Sequence, residues 1–233
     1  MGAANKAVKN EASLQYSGVL RYAIGDIHGR PFWKTYIKND FKEFYFTGDY
    51  FDSFDIPFLI QYDNFLEICK EARSDTRIRM CLGNHDYHYL NGVHNQSYSG
   101  YQNHNSKKIS AVLEDNIDLM QIIYTTEDKF IISHAGVTSW FLKSIGGVKP
   151  EDINNAFKND RNILKFNGYN IYGDDITQSP IWVRPGSLES DPLHGYSQIV
   201  GHTPVRKITE IAIKDGNRLV LIDTHNTESV YGF

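Results

Sequence analysis

Cysteine is scarce in this chain of 233 residues, long hydrophobic runs are absent, and no charge of one sign dominates. Its two cysteines, Cys69 and Cys81, fall in a predicted helix and a predicted strand, so they are expected as buried thiols of a reduced compartment rather than as a disulfide framework. No stretch approaches the roughly 20 apolar residues of a membrane span, and the polar start, Met1 to Gln15, lacks the apolar centre of a secretory signal. A cytoplasmic protein with no membrane partner is the expectation. Met1-Gly2 opens as a myristoylation motif does, but Lys6 stands where that motif has Ser or Thr, and residues 1–18 are read as an N-terminal extension. A formal net charge of -4, with acidic and basic residues interleaved, leaves no electrostatic footprint for nucleic acid. No linker rich in Pro, Gly or Ser, no charge run and no internal repeat divides the chain, so residues 19–233 are expected to form one domain. Hydrophobic residues make up 41% of it, enough at this length to bury roughly 70% of the unfolded surface.

What is present is a recurring pairing of apolar run and metal-type ligand. Gly25-Asp26-Ile27-His28-Gly29, Gly48-Asp49-Tyr50-Phe51-Asp52, Gly83-Asn84-His85-Asp86, Ser133-His134-Ala135-Gly136 and Gly201-His202-Thr203 each follow a short apolar run. Those runs, Val19 to Ile24, Glu43 to Thr47, Ile78 to Leu82, Lys129 to Ile132 and Ser197 to Val200, read as buried strands. In open α/β sheets the loops beyond the carboxyl ends of the strands form the ligand crevice, so residues far apart in sequence converge there. Glycine beside a ligand permits a tight turn and close backbone approach. An isolated Gly-Asp pair is usually a turn, and a lone histidine usually a structural residue. Five such segments in order after five strands point instead to one site.

Helices are expected over Phe32 to Asn39, Pro57 to Ala72, Lys108 to Asn116, Trp140 to Ile145 and Glu151 to Leu164, the last two inside residues 138–180, read as a helical cap region. In the second of these, Phe58, Leu59, Tyr62, Phe65, Leu66 and Cys69 recur at helical spacing. Tyr87 to Ser106 reads as a polar loop, and Ile208 to Ile213 with Leu219 to Asp223 as a hairpin turning at Lys214-Asp215-Gly216-Asn217.

Two divalent ions held close together need oxygen and imidazole ligands and one shared carboxylate. The expected sets are Asp26, His28 and Asp49 on one ion, and Asp49, Asn84, His134 and His202 on the other, with Asp49 as the bridge. Ions about 3.5–4 Å apart would lower the pKa of a bridging water, deliver it as hydroxide to phosphorus and neutralise the phosphoryl oxygens. His85, beside the ligand Asn84 but not needed as one, is expected to protonate the departing alkoxide, with Asp52 hydrogen-bonded to it. Arg184, in Ile181-Trp182-Val183-Arg184-Pro185, is a candidate phosphate clamp through its bidentate fork, with a surface arginine as the plain alternative. Arg30 has a weaker case of the same kind, Asn84 is counted with these two toward the substrate, and Trp182 reads as core. The remaining histidines, His88, His94, His104, His194 and His225, are read as solvated and without a metal role. Manganese is the expected metal, and iron, zinc and cobalt suit the same ligands.

Taken together, the segments resemble the calcineurin-like metallophosphoesterases, and within them the phosphoprotein phosphatase branch that includes bacterial and phage serine/threonine phosphatases and the symmetric diadenosine tetraphosphatases. The pattern GDxHG is matched at Gly25 to Gly29, GDxxD at Gly48 to Asp52, GNH[ED] at Gly83 to Asp86, HAG at His134 to Gly136 and GHTPV at Gly201 to Val205, so the resemblance spans Tyr22 to about Thr224. It implies an α/β fold, a β-sandwich flanked by helices in four layers (αββα), with a dinuclear site at the strand ends and the roles given above for each residue. Trp182-Val183-Arg184-Pro185 looks like the phosphate-binding W-x-R segment of bacterial members. In one departure, the family's GDxxDRG continues here as Gly48-Asp49-Tyr50-Phe51-Asp52-Ser53-Phe54, with Ser53 in place of the phosphate-gripping arginine. Asp86, where protein phosphatases commonly have Glu, is similar to the diadenosine tetraphosphatases.

The leading reading is a metal-dependent phosphomonoesterase acting on a phosphorylated protein, with serine or threonine as the residue class, or on a small phosphoester. The alternative is a symmetric diadenosine tetraphosphate hydrolase, with the tyrosine-rich loop Tyr87 to Tyr101 as a platform for a nucleobase. A non-catalytic metal-binding scaffold is disfavoured, because a scaffold is expected to lose ligands and here the ligand set and His85 are intact. The oligomeric state has no signal in the sequence.

Overall fold

The computed structural model describes residues 20–93, 98–224 and 229–233. The expected extension over residues 1–18, and His94 and His225, lie outside the described residues. Strands β1 (Tyr22–Ile24), β2 (Phe44–Phe46), β3 (Ile78–Cys81) and β4 (Met120–Gln121) pair in parallel. A second sheet is built from β5 (Ile123–Thr125), β6 (Phe130–Ser133), β7 (Ser197–Val200), β8 (Thr209–Ala212) and β9 (Arg218–Leu221) in the order β5-β6-β7-β9-β8, with β6, β7 and β9 parallel and the outer two antiparallel. β10 (Val230–Gly232) returns antiparallel to the outer side of β1.

Side-chain alternation along these strands separates the layers. Phe44 and Phe46 face one way, into the core shared with helices, whereas Tyr45 between them faces Tyr124 of the second sheet, ring centroids 5.7 Å apart. Ala23, Tyr45 and Cys81 from the first sheet and Ile132, Ile199 and Val220 from the second fill the layer between the sheets. Helices α1 (Trp33–Tyr36) and α2 (Phe58–Ser74) cover the first sheet through Trp33, Phe65, Ile68 and Cys69. The far face of the second sheet, Val200, Leu219 and Leu221, packs on Val183 and on Leu188. Helices α3 (Asn84–Tyr87), α4 (Ser106–Glu114), α5 (Ser139–Ser144), α6 (Asp152–Asn159) and α7 (Pro185–Ser190), the last carrying Leu188, complete the set. The result is helix, sheet, sheet, helix, the α/β sandwich that the resemblance implied.

Some expectations need correction. On α2, Leu59 and Leu66 are 67% and 39% exposed, and Gln61 and Asn64 are buried in their place. The reason is hydrogen bonding: Asn64 Oδ1 accepts from Trp33 Nε1 at 3.0 Å, and the Gln61 amide serves the backbone of Ser53 and Ile56. The segment read as a loop from Tyr87 begins on α3 and ends in a 3₁₀ turn, Asn103–Asn105, that leads into α4. Both cysteines are free and buried, and burial pushes the Cys69 thiol up to about 12. Among the described residues, no helix is long and apolar enough to cross a membrane.

Candidate metal centre

The five ligand segments sit just past the carboxyl ends of β1, β2, β3, β6 and β7, where the backbone is unusually contorted. Among the described residues, positive φ outside glycine occurs at His28 (41°), Asp49 (54°), Asp52 (65°) and His202 (60°), and otherwise only at Lys129 and Asp215. Each such residue costs on the order of 1–3 kcal/mol, so the surroundings must over-determine it. Asp86 does part of this: its carboxylate accepts the backbone N–H of Asp49 and of Tyr50, each at 2.9 Å, and of Gly83 at 3.0 Å, tying the β2 loop to the β3 loop. Two glycines are required by close approach. A Cβ at Gly83 would collide with Asp49 Oδ1 and its backbone nitrogen, and one at Gly201 with Asp26 Oδ1.

The proton positions follow from the partners. His28 Nδ1 donates to the Phe51 carbonyl at 2.6 Å, which leaves the Nε2 lone pair 3.8 Å from Asp49 Oδ2. His134 Nδ1 donates to the Thr47 carbonyl at 3.0 Å, so its Nε2 lone pair faces Asn84 Oδ1 at 2.7 Å, His202 Nδ1 at 3.2 Å and Asp49 Oδ2 at 3.5 Å. His202 Nε2 donates to the Trp182 carbonyl at 3.2 Å, leaving Nδ1 as a lone pair 3.0 Å from Asn84 Oδ1. Burial holds all three imidazoles in the neutral form, His28 down to about 4 and His134 and His202 well below their ordinary value. Burial, reinforced by the charges of Asp223 and Asp49, raises Asp26 far above the usual carboxylate range. Burial and Asp86 do the same to Asp49.

Lone pairs of the imidazole nitrogens and of the Asn84 oxygen therefore converge, and the raised carboxyls of Asp26 and Asp49 reflect the same crowding of acceptors. That arrangement is repulsive for the protein alone and favourable around divalent cations, and the donors are oxygen and imidazole without thiolate. The residues present fit two such ions. Asp49 Oδ2 lies 3.8 Å from His28 Nε2 and 3.5 Å from His134 Nε2. Asp26, Asp49 and His134 present ligand atoms that all lie within 4.8 Å of one another.

The ring of His85 packs edge-on against that of His28, centroids 5.4 Å apart. The His85 backbone N–H donates to Asp49 Oδ1 at 2.9 Å, while its Nδ1 lies 3.0 Å from Asp52 Oδ2. Asp52 is shared with a residue read as solvated: His88 is 2% exposed and its Nε2 lies 2.7 Å from the same oxygen. The correction has a local cause, since His85 and His88 are three apart around the single turn of α3 and its end, and so share a face. Burial pushes Asp52 up, but the hydrogen bonds from His85, His88 and Tyr89 outweigh it and hold the carboxyl below its ordinary value. His104 and His194 are exposed, as expected.

Asp26, His28, Asp49, Asn84, His85 and His202 line a cavity of about 560 Å³ with Arg30, Arg184, Asp223 and Trp182. Arg184 is held by carbonyls, with Nε donating to Tyr172 at 3.2 Å and Nη1 to His202 at 3.0 Å, as well as to Thr203 Oγ1 at 3.2 Å. Arg30 reaches the same cavity and donates to Asp55 Oδ1 at 3.0 Å. Ser53 donates to that carboxylate oxygen too, at 2.6 Å. Trp182 is buried, with its Nε1 donating to the Leu164 carbonyl at 3.1 Å, so it is core as well as cavity wall. Sequence reasoning missed Asp86, Asp223, His88 and Tyr89. Asp223 had a usable signal, because it ends the apolar run of β9 as the other ligand-type residues end theirs, without the glycine.

The profile of a family described as calcineurin-like phosphoesterase matches residues 22–225. No curated protein matches the sequence. Among solved structures, the chain is similar to a cold-active protein-tyrosine phosphatase of a psychrophilic Shewanella species, with 15% identity, 89% of this chain and 71% of that one covered, and a TM-score of 0.60. It is also similar to a protein serine/threonine phosphatase from Saccharomyces cerevisiae, with 13% identity, 88% and 67% covered, and a TM-score of 0.51. At these identities the likeness is one of fold.

Proposed function

The chain belongs to the calcineurin-like phosphoesterase family and is a metal-dependent phosphoester hydrolase, and from that premise we propose a phosphomonoesterase whose substrate is a phosphorylated protein or a small phosphoester. The observation that carries the proposal is the convergence of oxygen and imidazole donors from Asp26, His28, Asp49, Asn84, His134 and His202 at one end of the cavity. When bound there, two divalent ions, manganese by our reading, supply an activated water and positive charge against the phosphoryl oxygens. The chain's own residues do the rest. Arg184, held through Nε and Nη1, has Nη2 to offer to a phosphate, with Arg30 and Asn84 lining the same cavity. His85, with Nδ1 on Asp52, has Nε2 to protonate the leaving oxygen. We take residues 19–233 as the catalytic domain, with 138–180 as its cap, and place the protein in the cytoplasm on the strength of its free buried thiols.

A second reading, symmetric hydrolysis of diadenosine tetraphosphate, is favoured by one observation: Tyr98 and Trp182, ring centroids 4.3 Å apart, form an aromatic wall in the cavity against which a base could stack. Initial rates on a phosphoserine peptide, p-nitrophenyl phosphate and diadenosine tetraphosphate separate the two. The monoesterase reading expects higher kcat/KM on the first two. Faster turnover of the dinucleotide would replace it.

A further inference from the structure

Asp52 is more heavily hydrogen-bonded than a partner for His85 alone requires. Its side chain is wholly buried. Oδ2 accepts from His85 Nδ1 at 3.0 Å and from His88 Nε2 at 2.7 Å, and Oδ1 accepts from the Tyr89 hydroxyl at 2.5 Å and, at longer range, from Gln102 Nε2 at 3.4 Å. Four donors match the four lone-pair positions of a carboxylate. The tautomer of His88 is set from its other side: the backbone N–H of Tyr98 points at Nδ1, 3.5 Å away, so Nε2 carries the hydrogen given to Asp52. The Tyr89 oxygen accepts from the backbone N–H of Gln102 at 2.7 Å, which leaves its single hydrogen for Asp52. Neither His88 nor Tyr89 lines the cavity, and both are buried, at 2% and 4% exposure.

We propose that His88 and Tyr89 are positioning residues for leaving-group protonation: by clamping both oxygens of Asp52 they fix the direction in which His85 presents Nε2. The proposal rests on the reading of His85 as the general acid. The terminal torsion of an aspartate is broad and roughly two-fold, so a carboxylate held only by His85 would let the imidazole swing with it. Donors on both oxygens remove that freedom, and a displacement of about 1 Å can cost 10²-fold in rate. Asp52 also keeps a left-handed backbone, φ 65°, which a residue with a Cβ adopts only where its surroundings hold it. Asp52, His85 and His88 do present ligand atoms within 4.8 Å of one another. His88 is nevertheless 2% exposed and does not line the cavity, and four donors already fill the lone-pair positions of Asp52, so the carboxylate has no open position to give an ion.

The test compares phenyl phosphate, whose leaving group needs a proton, with 2,4-dinitrophenyl phosphate, whose leaving group does not, using the full metal-loaded chain. Tyr89→Phe and His88→Phe should each lower kcat on phenyl phosphate about tenfold, with KM and bound metal unchanged, and alter the dinitrophenyl rate by less than about twofold. His88→Gln, which keeps an N–H, should recover most of the loss. An equal loss on both substrates, or no loss on phenyl phosphate, overturns the proposal. His85→Asn separates the two readings: an equal loss on both substrates there removes the general acid and the proposal with it, whereas a selective loss in His85→Asn with none in Tyr89→Phe removes the positioning role alone. Should His88→Phe not fold, Tyr89→Phe, which deletes one hydroxyl, decides.

Discussion

Asp49 has one oxygen within 3.8 Å of the imidazoles of His28 and His134 and the other on the backbone N–H of His85, so a single side chain connects both halves of the proposed metal site to the proposed acid. Asp49→Asn should abolish measurable turnover and lower bound metal below the wild-type stoichiometry. Elemental analysis checks this, and unchanged metal with wild-type turnover would take Asp49 out of the site. Phosphate recognition is a question of which arginine remains. Ser53 stands in the sequence where the family has its arginine, and Asp55 accepts from both Ser53 and Arg30, so on the proposed reading Arg184 carries most of the task. Arg184→Ala should raise KM for p-nitrophenyl phosphate at least about tenfold, and an unchanged KM would place the clamp elsewhere. Asp52 adds a pH signature. A carboxyl whose folded pKa is depressed contributes stability that is present above the unfolded value, near 3.9, and is lost as pH falls through the depressed folded value. The Tm difference between the wild type and Asp52→Asn should therefore be largest above about pH 4 and shrink below it, as melting curves across that range would show.

The elements that position the site were legible because each joins an apolar run to a polar stop. β7 spans the residues expected of it, Ser197–Val200, and the strands preceding Asp26, Asp49, Asn84 and His134 differ from expectation only at their ends. What escaped reading was short or was buried for its hydrogen bonds. β4, β5, α3, α7 and β10 run for two to six residues, too few for a period to show. Gln61 and Asn64 took the buried face of α2 because Trp33 and the turn after Asp52 need partners, and hydropathy carries no trace of that. His88 was hidden for the same reason: its partner Asp52 lies on another strand-end loop. The glycines, in contrast, were legible as close approaches, and that can be tested. Gly83→Ala drives a methyl group into Asp49 and should lower both Tm and bound metal, whereas retention of both would show that the β2 and β3 loops are slack.

At the scale of the whole molecule, the site is assembled across two sheets, since Asp26, Asp49 and Asn84 follow strands of the first and His134 and His202 strands of the second. Its geometry therefore depends on the layer between them. Ile199→Ala, which removes buried atoms from that layer without touching a ligand, should cost about 2–5 kcal/mol in denaturant unfolding. A cost below about 1 kcal/mol would mean that the sheets do not rely on this contact. Hydrolysis, on the function proposed above, requires a pair of divalent ions in this acceptor-rich cleft. The direct measurement is metal stoichiometry and phosphomonoester turnover followed together through chelation and manganese reconstitution. Two ions per chain, with activity lost on chelation and regained as both return, is the predicted result; wild-type turnover by protein that holds no divalent ion would contradict it.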